Sequence, residues 1–132
     1  MPTAHPNAER IRDLFAAFRS GDIAAISSVV DERIVWRFPG RNGQIAGEHR
    51  GRDAVFAFLG NVMQLTSGTF HLDLEHVVAD DRYAVAFFRG HGTRDGKTLD
   101  NPTCLKMRLE NDKVVEVWEF VWNLFEVDDF WA

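Results

Sequence analysis

The sequence predicts an α+β domain in which three N-terminal helices pack on one face of a strongly curved, mainly antiparallel sheet. Three observations carry this. Apolar residues recur at helical spacing before residue 66. From Thr69 onward the apolar period changes to two. Asp95-Gly96 and Glu110-Asn111-Asp112 then mark hairpin turns in the strand-rich part.

The elements follow in order. Residues 7–19 read as a helix with Ile11, Leu14, Phe15 and Phe18 on one face. Ser20-Gly21 ends it, since glycine suits the left-handed position after a helix. Asp22 caps a second helix, Ile23 to Val30. Arg33–Phe38 is a short strand stopped by Pro39-Gly40. Residues 40–52 form a polar loop, and Asp53 caps a third helix over about Ala54–Leu65. Phe70, Leu72 and Leu74 alternate with His71, Asp73 and Glu75 in a half-buried strand. Asp80-Asp81 is a turn. Tyr83–Thr93 and Thr98–Leu109 are long strands, with Pro102 marking a bulge or an edge. The last strand begins at Lys113 and extends through Asn123. A curved sheet closed by helices makes a cone with a cavity.

A chain of 132 residues suits one domain, 1–132, with a single core. Its 45% hydrophobic content argues for a packed globule. The net charge of −5 and the scattered Lys and Arg exclude a nucleic-acid footprint. No apolar run approaches the roughly 18 residues of a membrane span. Met1–Arg10 lacks the apolar core of a secretory signal. Cys104 is the only cysteine, so no intrachain disulfide forms and the cytoplasm is the expected location. Eleven Phe and four Trp against one Tyr fit a greasy pocket or interface.

The stretches FAAFRSGDIAAISSVV, IVWRFPG, GEHRGRDAVFAFL, RDGKTLDNPTCLKMRLENDKVVEVWEF and VDDFWA carry a resemblance over nearly the whole chain. They resemble the nuclear-transport-factor-2-like (NTF2-like) superfamily, and within it the SnoaL-like, ketosteroid-isomerase-related branch. The resemblance implies the NTF2-like cone. It implies no single activity, because that superfamily holds isomerases, cyclases, dehydratases, epoxide hydrolases and binding proteins, so function rests on the site.

Laid against a ketosteroid isomerase, the catalytic base falls at Phe38, the oxyanion tyrosine at Leu14 and the protonated aspartate at Leu105. All three are apolar here, which excludes steroid isomerisation by that mechanism. The epoxide-hydrolase array finds no Arg-x-Asp on a strand. The acid–base aspartate of SnoaL-like cyclases matches Asn123, an amide. For the dehydratase branch, His76 and His91 lie on strands, but the resemblance points His91 outward.

The resemblance also implies strand facing. Ala84, Ala86, Phe88 and Gly90 point inward, as do Asn101, Thr103, Leu105 and Met107. Val115, Val117, Glu119, Val121 and Asn123 do so on the last strand. Trp36, Phe38, Leu14 and Phe58 flank the same space. The catalytic candidates are therefore Glu119, Asn101 and Asn123. A carboxylate in an apolar pocket loses hydration, and its pKa rises toward the range of a general acid or base. The amides would hold a carbonyl or enolate oxygen.

His49, in the Gly47–Gly51 loop, is placed over the cone mouth. His71 and His76, an odd number apart, fall on opposite faces. His91 with Glu116 or Cys104 lacks ligand-like spacing, so no metal and no cofactor are expected. Trp118, Phe120 and Trp122 form an outer aromatic face expected to pair two copies of the chain. Phe130 and Trp131 are expected to fold back over an opening.

Three readings are open. One is a pocket performing cofactor-independent acid–base chemistry, isomerase- or cyclase-like, on a small apolar carbonyl compound. The second is a non-catalytic binding protein for a small hydrophobic ligand. The third is a dimeric scaffold with a filled cone.

Overall fold

The computed structural model describes residues 4–41 and 43–132. The first three residues of the N-terminal stretch, and Asn42 of the predicted loop, lie outside the described residues. Helix α1 spans Pro6–Ser20. Its start is set by Pro at the first position and by His5, whose Nδ1 accepts from the Asn7 amide at 3.1 Å. Gly21, at φ 71°, closes it in the left-handed conformation. Helix α2 spans Ile23–Val29 and is capped by Asp22, as the sequence predicts. Helix α3 spans Arg52–Leu65. Its cap is Gly51 rather than the expected Asp53, which is the second residue of the helix and favours the positive end of the helix dipole.

Six strands form one sheet: β1 Val30–Phe38, β2 Gly47–Arg50, β3 His71–Ala79, β4 Tyr83–Arg94, β5 Lys97–Glu110 and β6 Lys113–Val121. Their order is β2-β1-β6-β5-β4-β3, antiparallel throughout except that β1 and β6 run parallel. β2 replaces much of the predicted loop and pairs Phe38 with Gly47 and Val35 with Arg50. The Asp95-Gly96 and Asn111-Asp112 turns both have two consecutive positive φ angles, matching the twist of tight hairpins.

Two bulges change which side chains share a face. One lies at Glu75, between the pairs Leu74–Phe88 and His76–Phe87. It moves His76 onto the same outer face as His71, against the odd-spacing expectation. The other lies at Val115, between Arg108–Glu116 and Leu109–Val114. It gives the cavity Val114 in place of the expected Val115. No bulge occurs at Pro102, which continues the register opposite Arg89. Its carbonyl accepts from Trp122 N, just past the end of β6, so its missing N–H faces a side with no ladder to break.

The last strand stops at Val121, two residues short of the expected Asn123, and is followed by helix α4, Leu124–Trp131. Its final carbonyls are held by cations: Arg94 Nη1 donates to Phe130 O at 2.9 Å and to Ala132 O at 2.6 Å, and Lys97 Nζ donates to Asp129 O at 2.7 Å. The loop after β1 clasps this helix. A Cβ at Gly43 would collide with the Trp131 carbonyl oxygen, so only glycine allows the approach. Helices α1 and α3 lie over β4, β3, β1 and β2, and α4 against β5. The core between them includes Ile11, Ile34, Val55, Met107 and Val117.

Candidate functional site

Strand alternation aims one face of β1, β4, β5 and β6 at the helices, and the cone they enclose keeps a cavity of about 100 Å³. Its walls are almost wholly apolar. β1 contributes Trp36 and Phe38, β4 contributes Phe88, and β5 contributes Leu105 and Met107. Leu14 comes from α1, Phe58 from α3 and Trp131 from α4. The cavity is small beside the roughly 300–1,000 Å³ usual for small-molecule sites. The cause is aromatic bulk, since Trp36 and Phe38 both pack on Phe58, with ring centroids 5.4 and 5.8 Å apart.

Into this cavity β6 projects Glu119. Trp36 Nε1, across the parallel β1–β6 pair, donates to Glu119 Oε1 at 3.1 Å. Among the described residues, no basic side chain contributes to its electrostatics. Burial raises its pKa from 4.5 to about 8, only partly opposed by the Trp36 hydrogen bond. Glu119 retains some accessible surface, and because it lines the pocket we assign that surface to the cavity rather than to bulk water. At pH 7 the neutral acid is therefore the favoured form.

Asn101 and Thr103, buried on β5, form the second polar group. Asn101 Nδ2 donates to Thr103 Oγ1 at 2.7 Å, and that hydroxyl donates to the Asn101 backbone carbonyl at 3.2 Å. The amide N–H₂ is thus engaged with protein. Asn101 itself lines the cavity, and no hydrogen bond among the described residues engages its Oδ1. The site offers a ligand one acid proton and one amide acceptor within an apolar shell.

Residues 11–117 match the model of the SnoaL-like domain. The chain belongs to the SnoaL-like domain family. Curated relatives of this SnoaL-like protein, from Mycobacterium bovis and Mycobacterium tuberculosis, are uncharacterised proteins 30% identical over 123 residues, covering 92% of this chain and 93% of theirs. Among solved structures it is similar to Bal32a from a soil-derived mobile gene cassette, at 38% identity and TM-score 0.91, with 96% of each chain covered. An NTF2-like protein of Burkholderia xenovorans shares the fold at 21% identity and TM-score 0.81, with 98% of each chain covered.

Of the residues the sequence nominates, the SnoaL-like cavity gathers Glu119, Asn101, Thr103, Trp36, Phe38, Leu14, Phe58, Phe88, Leu105 and Val117. Three do not line it. Asn123 caps α4, its side chain accepting from Glu126 N at 3.2 Å, because the strand stops at Val121. Val121 packs against the cluster around Phe130 and Trp131 instead. His49 lies on β2, not on a loop over the mouth. Its ring stacks on Phe58 at 4.2 Å, and Nε2 donates to the Ile45 carbonyl at 2.8 Å, leaving it a supporting role behind the wall. Trp131 is buried against the cavity, as the fold-back expectation holds. The Trp36–Glu119 hydrogen bond is absent from the sequence reading, since it depends on a pairing between residues 83 apart.

On the outer face, Trp118 is covered by its own chain, between the Arg37 guanidinium and the Lys106 ammonium, each 5.1 Å from the ring. Phe120 and Trp122 remain 55% and 83% exposed. Cys104 sits between Phe87 and Phe120 on this face, and burial pushes its thiol pKa up, away from nucleophile behaviour. Among the described residues, no helix is long and apolar enough to cross a membrane.

Proposed function

We propose that this protein takes a small apolar carbonyl compound into the cone and that Glu119 exchanges a proton with it, without a cofactor. The observation that carries this reading is an enclosed carboxyl with no cationic partner, held by one indole N–H and facing an apolar cavity. A group poised near the working pH has both forms at hand. Its acid form donates to a carbonyl oxygen, and its minor ionised form accepts a proton from the α-carbon. Asn101 Oδ1 adds an acceptor that favours a ligand hydroxyl over a purely hydrocarbon end. The cavity suits a compound of about one ring, since an apolar cavity of roughly 150 Å³ holds benzene.

The test is hydrogen–deuterium exchange at the α-carbon of small cyclic enones and aryl ketones, followed by NMR in D₂O. Wild-type protein is expected to catalyse exchange, with the rate changing near pH 8. Glu119→Gln keeps the volume and the acceptor for Trp36, so it is expected to bind the ketone with exchange reduced at least 100-fold. Binding without exchange in the wild type would favour the second reading, a non-catalytic ligand carrier. That reading is supported by the Asn101 amide being engaged with Thr103 rather than aimed at an oxyanion.

The same reading includes a homodimer that covers the outer sheet face. Phe87, Phe120 and Trp122 expose apolar surface on one side of the sheet, a patch that isolated monomers seldom carry. Sedimentation is expected to give twice the 15.1 kDa chain mass for the wild type and a single chain mass for Trp122→Lys. A monomeric wild type would rule the dimer out. The single cysteine, with no disulfide partner in the chain, supports a cytoplasmic setting.

A further inference from the structure

The face of the sheet turned away from the cavity carries a second cluster. His71 on β3 stands directly opposite His91 on β4, and Asp73 lies two residues along β3 on the same face. One ligand atom from each of the three falls within 4.8 Å of the others. Spacing along the chain hides this set, because only the β3–β4 register brings residues 71 and 91 together. We propose that His71, His91 and Asp73 bind a divalent transition-metal ion of the zinc class.

The polar contacts of the two rings argue for a ligand set rather than a chance pair. His71 Nδ1 donates to the Thr69 carbonyl at 3.1 Å, which leaves Nε2 as the nitrogen to bind an ion. His91 Nδ1 faces the Asp100 carboxylate at 3.6 Å, and its Nε2 meets Asp73 Oδ2 at 2.9 Å. Metal-binding histidines are oriented by a carbonyl or carboxylate on the nitrogen that does not bind; His71 has the Thr69 carbonyl, and His91 has the Asp100 carboxylate at ion-pair distance, longer than a hydrogen bond. Arg89, the nearby cation, is engaged with Asp100 at 2.9 Å.

Two imidazoles and a carboxylate on one face suit zinc, copper or nickel better than magnesium or calcium, which prefer all-oxygen sets. A nitrogen or oxygen bound at about 2.0–2.1 Å needs neighbouring ligand atoms about 3.3 Å apart. The His91–Asp73 contact, at 2.9 Å, must open by a few tenths of an ångström to admit the ion. The His71 and His91 rings, stacked with centroids 4.7 Å apart, must turn toward one another, and their partial exposure leaves room for it. Three protein ligands would leave at least one position open to water or to a fourth ligand.

The experiment is calorimetric titration of chelator-stripped protein with Zn²⁺ alone, at neutral pH. One Zn²⁺ per chain is expected. His71→Gln, His91→Gln and Asp73→Asn should each weaken binding more than about tenfold. His76→Gln, on the same face outside the cluster, should leave it unchanged. The Co²⁺-loaded wild type should show a visible absorption band that the two histidine variants lose. No binding by the wild type, or equal binding by all variants, would overturn the site. Circular dichroism of each variant separates loss of the ligand from loss of the fold.

Discussion

Glu119→Gln is expected to be more stable than the wild type at pH 8 and to lack most of the decline in stability that the wild type shows between about pH 4.5 and 8. In the unfolded chain this carboxyl ionises near 4.5, and in the folded protein near 8. Across that window the folded state binds the extra proton, so stability falls as pH rises. The span corresponds to at most about 4–5 kcal/mol, and water drawn into the cavity on ionisation reduces it. Other carboxylates act on the acid side. Arg37 and Arg108 hold Glu116 below its ordinary range, and Arg108 does the same for Glu110. Their contribution is present above about 4.5 and lost as pH falls through their lowered values. Urea unfolding followed by tryptophan fluorescence from pH 4 to 9 measures both limbs. A wild-type profile that is level between pH 5 and 8 would show that Glu119 is not held as a neutral acid.

Trp131→Ala is expected to cost about 3–5 kcal/mol and to lower the melting temperature on the order of 10 °C. The indole is buried, lines the cavity and packs against Phe130 and Phe70, with centroids 4.8 and 6.3 Å away. Its removal leaves α4 with Val127 and Phe130 as its buried anchors and opens the cavity at that end. The same variant should therefore admit larger apolar ligands, read as enhanced fluorescence of a hydrophobic dye in the folded state. A loss under about 1 kcal/mol, with unchanged dye binding, would mean that α4 does not seal the cone.

The long elements can be read from the sequence because each has a sustained period, and the hairpins because Asp-Gly and Asn-Asp tolerate positive φ. β2 escapes because Gly47-Glu48-His49-Arg50 is short, polar and at the sheet edge, with no alternation to detect. α4 escapes as an element, although Asn123 followed three residues later by Glu126 is a helix-start signal, and Leu124, Val127 and Trp131 keep helical spacing. Of the site, Glu119, Asn101 and most of the wall follow from alternation. The parts that do not follow depend on register between distant strands, as with Trp36 against Glu119 and His71 against His91. The bulges at Glu75 and Val115 reset parity, and no local composition announces them.

The parallel pairing of β1 with β6 has a consequence for how the molecule is made. Val30 meets Val114, and the strands between them form a meander that can pair by itself. A ribosome that has released residues through β5 holds two separate pieces, the β1–β2 hairpin and the β3–β5 meander. Neither has the strand that joins them. Glu119 arrives on that joining strand, so the costly carboxyl is enclosed in the same late event that completes the sheet. Contacts of such long sequence separation slow the search for the native state. During that interval the apolar lining of the future cavity stays open to chaperones and to its own neighbours.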